Sequence, residues 1–193
     1  MADGNTGEQI LAIARDLLAR EGLGGVSFDA IARRLGRSKQ AVLYWYPSKR
    51  ALLAALYLPW LEAEAEAAVG ALRQGEGAAA AVGEFVHAIA EFHLKDLDRF
   101  RMMYLVLQTT PKAARNPDPD LLAAVHPITD RLYAALAGRL NGDAAQRRRA
   151  AVAIHAAVLG LVMMVALGDA VDDPLKHPSS ELVDALIGRL TGG

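Results

Sequence analysis

Residues Ser27–Leu53 read SFDAIARRLGRSKQAVLYWYPSKRALL. Ser27 stands directly before Phe28-Asp-Ala-Ile-Ala-Arg-Arg-Leu35, where its hydroxyl can cap free backbone amides, and Asp29 falls in the first turn, the end at which a helix favours an acid. This short helix ends at Gly36. Ser38 can cap a second one, Lys39 to about Trp45, which Pro47-Ser48 breaks before a longer helix opens near Lys49. The three-residue turn Gly36-Arg37-Ser38 has the length that sets two short helices at a steep angle, the geometry of a helix-turn-helix. Phe28, Ile31, Ala32 and Leu35 face inward by helical spacing, and Ala32 is small enough to let the second helix cross closely.

Upstream, Ile10, Leu11, Ala14, Leu17 and Leu18 recur at helical spacing over Glu8–Arg20, and Gly22, Gly24 and Gly25 follow as a stop signal. Downstream, helices are read over Ser48–Arg73, Ala78–Leu94, Phe100–Gln108, Leu121–Leu140, Ala144–Leu167 and Ser180–Leu190, with a turn-rich connection over Pro111–Pro119. No stretch sustains period-two alternation, so the fold class is all-α. The expected organisation is a helix-turn-helix head, residues 1–50, followed by a helical regulatory and dimerisation body, residues 51–193.

The 193 residues carry a formal net charge of -1, which at first argues against nucleic acid. The distribution argues for it. Residues 1–50 hold 8 Lys or Arg against 5 Asp or Glu, and Arg33–Arg50 holds six basic residues and no acidic one, so a positive face coexists with a neutral whole. Hydrophobic residues make up 53% of the chain and charged residues 22%, a balance that suits a packed globular protein rather than a disordered one. There is no cysteine, so a disulfide framework and a thiolate metal site are both excluded. Met1–Ile10 is polar and acidic, without the features of an export signal, and the cytoplasm is the expected location. Ala150–Gly168, AAVAIHAAVLGLVMMVALG, approaches membrane-spanning length, but its alanines and His155 fit a helix buried among other helices better than one facing lipid.

On the second short helix, Lys39, Gln40, Ala41 and Tyr44 lie on a rod of the size that enters a major groove, where Gln pairs with adenine and Lys with guanine acceptors. The Ser27 hydroxyl, the Lys49 ammonium and free amides at helix starts are candidates to meet phosphate oxygens, and Arg37 at the turn either contacts DNA or lies in solvent. A solvated basic surface on an ordinary helical bundle, a protein-interaction module without sequence-specific DNA binding, is the alternative. For the body, Trp60, Phe85, Phe92, His93, Met102, Met103, Leu107, Tyr133, His155 and Met163 form a candidate lining for an apolar or aromatic effector, although such stripes also occur as plain core. Glu91, His93, Asp96 and Asp98 crowd a helix end without a nucleophile–base arrangement, so no enzyme is expected. Neither a cofactor nor a metal site is implied, since no ligand pair has a compelling spacing.

Ser27, Ile31, Ala32, Gly36, Ser38, Tyr44 and Lys49 match the DNA-binding region of the TetR family of transcriptional regulators, which Ser27–Leu53 resembles. A common version of the family pattern has Tyr in place of Leu43, His in place of Trp45 and Phe in place of Tyr46, and Val is frequent in place of Arg37. A variant reading Leu-Leu-Tyr-Tyr-Phe-Pro-Ser-Lys is closer to Val42–Lys49 and keeps the spacing from Gly36 to Lys49 without a gap. The resemblance covers about the first quarter of the chain. It implies a homodimer built on the last two long helices, a semi-palindromic double-stranded operator, and a repressor released when a small molecule enters the body. Independently of the resemblance, Ala144–Leu167 is apolar nearly all round, more than one isolated body can bury, so pairing with a second chain is economical. Gly160 would allow close approach.

Overall fold

In a computed structural model, which describes residues 3–72, 76–105, 119–173 and 177–192, the capping signals become helix boundaries. Ser27 Oγ accepts the Ala30 amide at 3.1 Å and opens α2, Phe28–Leu35. Ser38 Oγ accepts the Ala41 amide at 3.2 Å and opens α3, Lys39–Trp45. Between them Gly36 adopts φ 68°, a left-handed conformation that a residue without Cβ enters freely, and its N–H closes α2 on the Ala32 and Arg33 carbonyls. The preceding helix, α1, spans Asp3–Gly25 and is longer than its apolar stripe. Its helical geometry fails at Gly22, φ 67°, so the expected stop is an interruption inside the element. Helix α4 runs Lys49–Ala71, with the Ser48 hydroxyl accepting the Ala51 amide at 3.0 Å.

Further along, α5 occupies Ala78–Leu94. The helix expected over Phe100–Gln108 is displaced, because the Asp96 side chain accepts the Arg99 amide at 2.9 Å and starts α6, Leu97–Phe100, three residues earlier. A π-helical turn, Arg101–Leu105, follows. Residues 106–118, with Leu107 and most of the expected connection, lie outside the described residues. Helix α7 is Pro119–Ala137, α8 is Ala144–Ala170 and α9 is Ser179–Thr191. A capping box opens α8, with Asp143 accepting the Gln146 amide at 2.8 Å and the Gln146 side chain accepting the Asp143 amide at 2.9 Å. Every regular element among the described residues is helical.

The chain forms two compact units. The first comprises Met1–Trp60 and Arg101–Leu121, and its core holds Ile10, Ala14, Leu17, Ile31, Ala32, Val42, Leu52 and Leu56. Each fully buried Ile or Leu contributes about 1.5–3 kcal/mol, so this cluster is what holds α2 and α3 at their angle. The second comprises Leu61–Phe100 and Leu122–Gly193. Its core alternates alanines, among them Ala65, Ala68, Ala81, Ala90 and Ala151, with Phe85, Ile89, Leu132, Leu136 and Val158. The small side chains let helix axes approach and the large ones fill the intervals.

Candidate functional site

In the first unit, α3 is held by its inward face and presents the opposite one. Val42 is fully buried, Trp45 is half-buried, and Gly7 lies so close to the Trp45 indole that a Cβ there would come within 2.9 Å of it. Tyr46 donates its hydroxyl proton to the Gly7 carbonyl at 3.3 Å. The aromatic cluster thus ties the end of α3 to the start of α1. On the outer side Lys39 and Gln40 are exposed, Ala41 is half-buried, and Tyr44 is 83% exposed, its ring set edge-on to Trp45 at 6.0 Å. Arg37 is exposed in the turn.

The cations do not all face outward freely. Arg34 pairs with Asp16, which also receives Arg20 at 2.6 Å, and reaches Glu21 at 3.2 Å, so it braces α2 against α1. The Arg20 and Arg34 hydrogen bonds hold the Asp16 carboxyl below its ordinary range. Lys39 Nζ lies 2.8 Å from Asp29 Oδ2, on α2. Lys49 Nζ donates to the Leu23 carbonyl at 2.9 Å, and desolvation lowers its ammonium from the usual lysine value. Ser27 and Ser38 spend an oxygen lone pair on a helix amide, and each hydroxyl keeps a proton to donate.

In the second unit five of the expected effector residues, Phe85, Phe92, His93, Tyr133 and His155, converge on a sixth that the sequence reading missed. Glu64, on α4, has no exposed surface. Its Oε1 lies 2.9 Å from His155 Nε2, on α8, and 3.2 Å from His93 Nε2, on α5. Tyr133, on α7, completes the chain with its hydroxyl 3.0 Å from His155 Nδ1, while Arg148 stacks 5.0 Å above the Tyr133 ring and pairs with Asp130. Phe85 meets His155 edge-on, and Phe92 and Phe100 flank His93 in the same way. Burial works to raise the Glu64 carboxyl, but the hydrogen bonds and charges of His155 and His93 outweigh it and hold it at about 2. Burial also raises the Tyr133 hydroxyl, with the Glu64 charge adding to it.

Glu64 sits in Glu62-Ala-Glu64-Ala-Glu66, which reads as a solvated acidic run. The signal lay in the register: Glu64 follows Leu61 by three and precedes Ala68 by four, on the buried stripe of α4, whereas Glu62 pairs with Arg131 at 2.6 Å and Glu66 is exposed. The remaining effector candidates do not join this cluster. Trp60 and Met102 pack on the core of the first unit, with Arg15 5.9 Å over the Trp60 ring, and Met103 is buried and also belongs to the first unit. Met163 is 43% exposed on α8. The single lining drawn from helical periodicity is therefore divided, because periodicity assigns a residue to a helix face and not to the unit that face packs in.

Met163 belongs instead to an apolar stripe on α8 with Val152 and Leu167, all exposed, and exposed Val171 follows directly after the helix end. Gly160 lies on the same stripe, and a Cβ built there meets nothing within 4 Å. By length and composition α8 could cross a membrane, and about a third of its most apolar window is buried within the protein.

Residues 10–56 match the family model described as bacterial regulatory proteins, tetR family. No curated protein matched the chain. Among solved structures, a protein with unknown function from Rhodococcus sp. RHA1 is 25% identical with a TM-score of 0.70, covering 100% of this chain and 96% of its own. The TetR family transcriptional regulator PfmR from Thermus thermophilus is 21% identical with a TM-score of 0.67, over 95% of this chain and 97% of its own. The transcriptional regulator FadR from Bacillus subtilis, solved in complex with stearoyl-CoA, is 16% identical with a TM-score of 0.69, over 96% and 98%. The last two likenesses concern the fold. The family match spans the capped pair α2 and α3 together with the aromatic cluster and Lys49, and the similar folds extend over nearly the whole chain. Residues 10–56 thus carry the match to the tetR family of bacterial regulatory proteins, and the solved structures above share the fold of nearly the whole chain.

Proposed function

We propose that the protein is a cytoplasmic homodimeric repressor that binds a semi-palindromic operator in double-stranded DNA and leaves it when a small apolar or aromatic effector enters the second unit. The observation that carries the DNA reading is Tyr44, an aromatic side chain 83% exposed beside exposed Gln40 on a capped helix. A large apolar ring left in solvent by a well-packed core is suited to a surface that another molecule covers. Gln40 and Tyr44 are the base-edge contacts in this reading, with Ala41 close against the groove wall. Ser27, Ser38, Arg37 and Lys49 supply backbone contacts that set register. The two-fold symmetry of the site follows from pairing through the exposed stripe of α8 and its neighbour α9. An apolar effector is supported by the aromatic surround of Glu64, and the stearoyl-CoA bound to the Bacillus subtilis protein carries a long apolar acyl chain on its polar coenzyme A group.

Selecting duplexes from a random pool tests the reading directly. The wild type should enrich a semi-palindromic sequence, and Tyr44→Ala with Lys49→Ala should abolish binding at unchanged helical content. Tight binding retained by the double variant overturns the assigned surface, and no affinity for duplex even at low salt favours an interaction module instead.

A further inference from the structure

A notch of about 270 Å³ in the first unit brings together Ser27, Asp29, Lys39, Lys49 and Leu52. It contains two ammonium groups and the opening turn of α2, the groups to which a phosphate oxygen would be drawn. Both ammonium groups already have an oxygen partner. Lys49 donates to the Leu23 carbonyl, a neutral group that leaves its charge uncompensated, whereas Lys39 is neutralised by the Asp29 carboxylate at 2.8 Å. Both members of that pair are about half exposed, so the contact is open to competition by an anion from solvent.

Resting on the DNA-binding reading above, we infer that Asp29 is a positioning residue that acts through Lys39, its carboxylate standing in for a phosphate and restraining the affinity of the head for the DNA backbone. Lys39 then contributes little to attraction for an arbitrary duplex, because each phosphate it accepts must displace Asp29. The held ammonium is directed back over α2 and does not read a base. Sequence preference falls to Gln40 and Tyr44, which have no such internal partner among the described residues.

A double-mutant cycle over Asp29 and Lys39, with binding to operator and random duplexes measured across a salt series, tests the inference. Asp29→Asn should raise affinity for both duplexes and steepen the logarithmic salt slope by about one unit per head, equivalent to about three- to fourfold per head between 50 and 200 mM salt. Lys39→Met should have little effect alone and should remove the gain in the Asn background, while Asp29→Glu should behave as wild type. Circular dichroism should be unchanged throughout. A merely structural role for Asp29 would move thermal stability without moving the salt slope. An unchanged slope in Asp29→Asn, additive effects in the cycle, or an altered base preference in Lys39→Met would overturn the inference while leaving the proposed function intact. Failure of both wild type and Asp29→Asn to bind any duplex at low salt would overturn the two together.

Discussion

Glu64 is the residue whose environment departs furthest from what its neighbours in sequence suggest. A carboxylate without solvent is costly unless its partners compensate, and here two imidazoles share one of its oxygens. Glu64→Gln leaves those imidazoles without their anion, and at pH 7 it should destabilise the protein by about 3–5 kcal/mol, a fall in Tm on the order of 10 °C. The acid dependence follows from the depressed carboxyl. Folded Glu64 holds at about 2 against an ordinary 4.5, so its stabilisation is fully present above pH 4.5 and is lost as the pH falls toward 2. Thermal unfolding between pH 2 and 6 should show the gap between wild type and Glu64→Gln narrowing over that window. A gap independent of pH would show that the carboxylate charge is not what stabilises the cluster.

The short helices α2 and α3 depend on their ends, since seven or eight residues cannot sustain a helix in water without tertiary packing and caps. Ser38→Ala removes the acceptor of the Ala41 amide and should cost about 1 kcal/mol, whereas Ser38→Asn should restore most of it. Gly36→Val places a branched side chain at φ 68° and should cost about 1–3 kcal/mol, because the strain is in the backbone and not in any clash. Chemical denaturation checks both. Equal stabilities for Ser38→Ala and Ser38→Asn would mean that the cap hydrogen bond carries no net energy. Within α8 the capping box sets the first turn, and the buried face of Ile154, His155, Val158 and Val162 sets the rotation that leaves Met163 and Leu167 outside.

The proposed dimer and the proposed response to effector would be properties of the assembled protein. Leu167, 56% exposed, lies one turn beyond Met163 on the stripe that includes open Gly160. Leu167→Glu places a charge in that stripe and should convert the dimer to a monomer by analytical ultracentrifugation. Operator affinity should then fall by about 10²–10⁴-fold, as two heads lose their linkage. A variant that stays dimeric would place the interface elsewhere. An effector identified by thermal shift should weaken operator binding by about 5- to 150-fold, a coupling of about 1–3 kcal/mol. Compounds that bind and never change operator affinity would remove the regulatory reading of the second unit.

What a reader of the chain alone could decide is what acts over three or four residues. The Ser27 and Ser38 caps, the Gly36 turn, the Asp143–Gln146 box and the start of α5 at Ala78 are all near-neighbour events, and each stands where local chemistry puts it. The family match is legible for the same reason, since it lies in one continuous stretch. Burial of Glu64 beside His155, ninety-one positions away, is not such an event, nor is the pairing of Lys39 with Asp29 or the assignment of Trp60 and His93 to different compact units. These depend on which helix faces meet. Periodicity supplies the faces, but only packing of the helices selects their neighbours, and with them the charge that each buried or half-buried group must answer.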